Sequence, residues 1–162
     1  MNVLFVCHAN TSRSIMAEIL LRQMLEARGL ASSIRVHSAG VAPFARDGAL
    51  VSLDTRFALR DHGVEVADEK TSTDLKRNLH LLEDATVVLA MTREQKEIVE
   101  RMPQAAGKPI YTLLEYAGAA GDIADPASRD ESFFRDTCAL IKRTLDQALP
   151  RLVGMSQNSG SR

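Results

Sequence analysis

Apolar residues fall along this chain in two alternating kinds of run: short unbroken blocks, and longer stretches with helical spacing. Residues 2–6 (Asn-Val-Leu-Phe-Val) are the first block and read as a short buried strand. Over residues 14–29, Ile15, Met16, Ile19, Leu20, Met24 and Leu25 recur at helical spacing, and Gly29 is a natural stop. Residues 33–38 alternate like a strand that Ala39-Gly40 ends. A helix is predicted over 47–62, ending near His62-Gly63, and another over 73–83 with Ser72 or Thr73 as cap. Residues 85–91 (Ala-Thr-Val-Val-Leu-Ala-Met) carry the strongest buried-strand signal, and Thr92 then caps a charged helix reaching about Arg101. A fourth strand is predicted at 109–113, a Gly/Ala/Asp-rich loop over 117–130, and a final amphipathic helix over 131–152.

Strands alternating with helices predict an α/β fold whose parallel sheet is covered on both faces. Ligands in such folds sit beyond the carboxyl ends of the strands, near the point where strand order reverses. There is no internal repeat and no linker, so one domain is expected over 1–153, followed by a polar, disordered tail over 154–162.

Composition narrows the chemistry. The chain has 162 residues, enough for a sizeable core without disulfides or structural metal. Twenty basic and 21 acidic residues give a net charge of −1. That balance argues against a general attraction to nucleic acid or an anionic membrane, so any anion site must be local. Two cysteines, Cys7 and Cys138, are too few for a disulfide scaffold. His37, His62 and His80 are scattered and show no metal-ligand spacing with Cys138, which is expected in the core. No secretory signal and no membrane-spanning run are visible, and a reducing cytoplasm is the expected compartment.

The sharpest feature is a strand followed by Cys7-His8-Ala9-Asn10-Thr11-Ser12-Arg13-Ser14 and then a helix. A thiolate is the nucleophilic form of cysteine, and a helix N-terminus beside a guanidinium favours that anion. Six residues on, Arg13 can turn its planar fork toward the oxygens of a phosphoryl group attacked by Cys7. The intervening backbone N–H groups can converge on the same anion. Ser14 can donate to the sulfur, and Asn10 tolerates the left-handed backbone of a tight loop. A thiolate mechanism also needs a proton donor for the leaving group. Asp125, followed by Pro126 in the long loop, is the candidate, with Asp122 its nearest competitor.

The run Val-Leu-Phe-Val-Cys-His-Ala-Asn-Thr-Ser-Arg-Ser-Ile-Met-Ala-Glu resembles the opening of the low-molecular-weight protein tyrosine phosphatase family, V-C-x-G-N-x-C-R-S-P-x-A-E. Ser38-Ala39-Gly40, the run from Ala85 to Thr92, and Asp125-Pro126 resemble later family segments in the same order, as far as about residue 150. The resemblance implies a three-layer αβα fold with a four-stranded parallel sheet, of the phosphotyrosine phosphatase I-like kind. It implies no metal or other cofactor. It also implies a phosphocysteine intermediate with Cys7 as nucleophile, Arg13 as phosphate clamp and Asp125 as general acid and base. His8, Ala9, Asn10, Thr11, Ser12 and Ser14 would then line or build the phosphate loop, and Phe44 stands where the family places a hydrophobic pocket wall.

The chain departs from the family pattern at several positions. Ala9, Ser12 and Ile15 stand in place of glycine, cysteine and proline. Ser12 removes the disulfide that many relatives form inside this loop. Ala127-Ser128 replaces aromatic residues after the Asp-Pro, and Thr11 resembles the bacterial protein arginine phosphatases. Phosphotyrosine in proteins is therefore the first expected substrate and phosphoarginine the alternative. A thioredoxin-coupled arsenate reductase ranks behind both, since Cys138 is the sole other thiol. The expected partners are a phosphorylated protein and an oxyanion in the loop, with no nucleic acid, no membrane and a monomeric chain.

Overall fold

Side chains on a strand point alternately to opposite faces, so a run that is apolar at every position needs cover on both sides. The computed structural model, which describes residues 1–161, supplies it. Strand β1 (Asn2–Cys7) sends Val3, Phe5 and Cys7 into one core and Leu4 and Val6 into another. With β2 (Arg35–Gly40), β3 (Val87–Ala90) and β4 (Ile110–Thr112) it forms a parallel sheet of four strands in the order β2-β1-β3-β4. The chain winds from β1 to one side and then returns to the other, so direction reverses beside β1.

Helices α1 (Arg13–Glu26) and α6 (Glu131–Ser159) pack on the Phe5 face, and α2 (Leu53–Arg60) and α5 (Leu113–Tyr116) lie on the same side. Helices α3 (His80–Asp84) and α4 (Arg93–Glu100) cover the face of Leu4 and Val6 through Leu82 and Val99. The result is a three-layer αβα arrangement. Beneath α1, the buried Glu18 carboxylate accepts from Arg22 (3.2 Å) and lies 2.6 Å from Lys70 Nζ. Arg22 also donates to the carbonyl of Val36, which ties α1 to β2.

Several predicted boundaries move. Strand β2 starts at Arg35 and runs through Ala39-Gly40, because Gly40 pairs with Cys7. The helix expected over 47–62 shrinks to Leu53–Arg60, capped by the side chain of Ser52. Its first part is a turn at 47–48 and an irregular run instead, since Gly48 and Ala49 spend their backbone groups on Ser72, and Leu50 bridges Thr71. The helix expected over 73–83 splits into a 3₁₀ turn at Leu75–Arg77, capped by Asp74 rather than Ser72 or Thr73, and the short α3. Helix α5 takes the last residue of the predicted strand and the stretch before the predicted loop, held by a capping box of Thr112 and Glu115. Helix α6 continues past the expected end at 152 to Ser159, because Val153 and Met155 still find the core and Tyr116 donates to Met155 Sδ.

Gly40 closes β2 directly against the loop that follows β1. A Cβ there would stand 2.6 Å from the His8 carbonyl oxygen and 2.9 Å from the Ala9 carbonyl carbon, both backbone atoms. Gly40→Ala is expected to lower stability by about 1–3 kcal/mol through overpacking, seen as an earlier midpoint in urea unfolding.

Cys138 is fully buried on α6. Burial, with a smaller push from the Asp61 carboxylate, raises its thiol to about 12. Near neutral pH, iodoacetamide should therefore leave Cys138 untouched in the native protein and label it only in denaturant. Mass mapping that finds native Cys138 alkylated contradicts this packing.

Candidate active site

The end of β1 and the start of α1 are separated by five residues, His8 to Ser12. So short a connection must turn sharply, and Asn10 does so with φ at 60°, in the left-handed region. Its side chain is fully buried and ties the loop to the scaffold. Asn10 Oδ1 accepts from the Thr73 backbone N–H at 2.8 Å. A backbone N–H can only donate, so the amide orientation is settled and Nδ2 faces the two serines. Nδ2 donates to Ser14 Oγ at 2.7 Å and to Ser38 Oγ at 2.9 Å.

That polarity carries on to the sulfur. Ser14 Oγ already accepts from Asn10, which leaves its own proton for Cys7 Sγ, 2.8 Å away. The Asn10 backbone N–H also donates to Sγ at 3.3 Å. Two donors thus converge on one sulfur at the end of a buried strand.

Helix α1 opens onto the same loop without a capping side chain and without an acidic residue in its first turn. Its leading N–H groups find no carbonyl within the helix, which suits an incoming anion. Ser12, the residue at the cap position, turns elsewhere: Thr55 Oγ1 donates to its Oγ at 3.0 Å, and Ser52 Oγ lies 3.3 Å away.

Arg13 is almost wholly buried. One nitrogen donates to the Ile123 carbonyl at 2.8 Å, and the other stands 3.5 Å from Asp125 Oδ2. Ile123, buried and bonded to the Met91 carbonyl, anchors the loop that carries Asp125. Asp125 Oδ1 accepts from the Ala127 N–H at 3.0 Å, and the carboxylate remains half exposed. Asp122 does not share the site; it accepts from the Arg93 N–H at the start of α4.

Around Sγ lies a cavity of ≈ 160 Å³ lined by Cys7, His8, Ala9, Thr11, Ser12, Arg13, Phe44, Asp125 and Ala127. Of the residues singled out from sequence, Asn10 and Ser14 sit beneath this wall rather than in it. His8 is placed between the edge of the Phe44 ring (6.4 Å between centroids) and Glu94 (3.8 Å). Ser38, the Thr73 N–H and the Ile123 carbonyl are structural participants that the residue pattern did not single out. Ser38 fell within a recognised segment, but the other two contribute backbone atoms, which any residue type supplies. Among the described residues, no group of three His, Cys, Asp or Glu side chains could hold a metal ion, and no helix is long and apolar enough to cross a membrane.

Comparison with known proteins shows the family. The family model for low molecular weight phosphotyrosine protein phosphatase matches residues 2–158. The chain is 38% identical to the protein-arginine-phosphatase of Geobacillus stearothermophilus, over 93% of this chain and 95% of that one. It is 31% identical to the low molecular weight protein-tyrosine-phosphatase Ptp of Acinetobacter johnsonii, over 87% and 90%. Among solved structures, the YwlE arginine phosphatase from G. stearothermophilus superposes with a TM-score of 0.80 at 34% identity, covering 97% of this chain and 96% of that one. A low molecular weight protein tyrosine phosphatase from T. tengcongensis gives 0.81 at 30% identity, covering 93% and 99%. The chain belongs to the low molecular weight phosphotyrosine protein phosphatase family.

Proposed function

We propose that this protein removes phosphate from phosphorylated side chains of proteins through a phosphocysteine, and that phosphoarginine is its preferred substrate. The observation that carries the reaction is the convergence on Cys7 Sγ: two donors behind the sulfur, with Arg13 and Asp125 on the walls of the same cavity. The Cys7 thiolate attacks phosphorus while the Arg13 guanidinium and the opening N–H groups of α1 hold the phosphoryl oxygens. The bond from phosphorus to the leaving nitrogen or oxygen breaks, and Asp125 as the acid gives that atom its proton. Asp125, now a carboxylate, takes a proton from water as the water attacks the phosphocysteine. Inorganic phosphate leaves, and the Ser14 hydroxyl donates to the sulfur as its negative charge returns.

Four things support phosphoarginine. The cavity is small, Thr11 and Ala127 form part of its wall, and the Asp125 side contributes no aromatic ring to it. The relatives named protein-arginine-phosphatases align over almost the whole chain. Phosphotyrosine remains the second reading because Phe44 lines the rim, where it can flank an aryl group. Arsenate reduction gains no support: the second thiol, Cys138, is fully buried. We further propose that the protein acts as a monomer in the reducing cytoplasm, on phosphoproteins, with an oxyanion as the loop's ligand and no metal, nucleic acid or membrane partner.

The deciding measurement is kcat/KM on peptides that differ only in carrying phosphoarginine or phosphotyrosine. Phosphoarginine should win, and a preference of about tenfold, or 1.4 kcal/mol, for phosphotyrosine rejects that choice. Cys7→Ser should cut turnover of either substrate by roughly 10³-fold or more, while phosphate binding followed by calorimetry persists. Asp125→Asn should slow the first chemical step by about 10²- to 10⁴-fold, visible in single-turnover kinetics.

Asn10→Ala leaves the part-buried Thr73 N–H without its acceptor and takes a donor from two buried hydroxyls. The expected cost is about 2–4 kcal/mol in unfolding free energy, with a fall in kcat larger than the change in phosphate affinity. Wild-type stability in that variant would refute the role given to the amide.

A further inference from the structure

The large hydrophobic side chains that stand exposed are Phe44 (70% exposed), Leu50 (74%) and Leu53 (64%). Scattered exposed apolar residues are ordinary, but these three fall within ten positions of one segment. That segment runs beside the phosphate loop. At one end the Ala42 N–H donates to the His8 carbonyl, two residues before Phe44. At the other, the Ser52 N–H donates to the Thr11 carbonyl, one residue before Leu53. Phe44 itself lines the reactive cavity.

The support beneath is firm. Ala45, Val51 and Thr55 point inward and are buried, so their neighbours are held facing out. The backbone between them is pinned to Ser72 and Thr71. Three outward apolar side chains on a rigid base, one of them lining the cavity around Cys7, have an evident occupant: the chain to which a phosphoryl group held in that cavity is attached.

We propose that Leu50 and Leu53, together with Phe44, bind apolar side chains flanking the phosphorylated residue of a protein substrate. This rests on the phosphatase reading above and adds a sequence preference to it. Leu50 and Leu53 do not line the reactive cavity, so they act on the peptide around the phosphoresidue and not on the chemistry.

The test uses the wild type and an L50S/L53S double variant. Both are assayed on para-nitrophenyl phosphate and on two phosphopeptides of equal length, one with leucine and phenylalanine flanks and one with serine and glycine flanks. Partial burial of two leucine side chains predicts that the wild type favours the apolar peptide by about tenfold in kcat/KM. The double variant should lose that preference while keeping para-nitrophenyl phosphate turnover within about twofold, as for surface substitutions generally. Equal rates on both peptides, or an unchanged preference in L50S/L53S, overturns the proposal while aryl phosphate turnover leaves the phosphatase reading standing. A wild-type dimer in sedimentation that L50S/L53S dissolves, without a peptide preference, assigns the strip to a second copy of the chain and likewise overturns it. Failure of the wild type on every phosphorylated substrate rejects the phosphatase reading, and the docking strip with it.

Discussion

The site hangs on one buried amide. Asn10 holds its backbone in a conformation that most residues avoid. Its side chain spends its donors on Ser14 and Ser38 and its acceptor on Thr73. These contacts join the first helix, the second strand and a connecting segment more than sixty residues away at one point. Remove the amide and two buried hydroxyls and a part-buried N–H lose a partner, which costs more than the lost bonds themselves were worth. The geometry at Cys7 is thus a property of the assembled fold rather than of eight consecutive residues.

A second tether runs through Arg13. Its bond to the Ile123 carbonyl reaches across 110 positions of sequence to the loop bearing Asp125. Ile123 is fixed in turn by the carbonyl of Met91, the residue that follows the third strand. Cys7, Arg13 and Asp125 therefore all refer back to the same parallel sheet, beside the strand where its winding reverses.

Strands β1 and β3 were readable because burial on both faces leaves runs with no polar interruption, β2 was readable from its alternation, and α4 because Thr92 advertises its start. The segments 48–50 and 71–74 were not. Their backbone groups bond to each other, to Asp47 and to Asn10, and such long-range pairing leaves no periodicity behind. The site divides the same way. Cys7 to Ser14 is contiguous, so its chemistry could be read as a string. The Thr73 N–H and the Ile123 carbonyl could not, because the backbone is the same at every residue. The helical extension to Ser159 was hidden by the polar character of its last turns, although Tyr116 and the core hold Met155 there.

The two contacts of Arg13 are unequal, and the inequality has a consequence. Its bond to the Ile123 carbonyl is short and buried, at 2.8 Å. Its contact with Asp125 is 3.5 Å long, with the carboxylate half exposed, and is worth on the order of 1 kcal/mol at most. Asp125 can therefore change partners without releasing the guanidinium, whose direction is set by backbone alone.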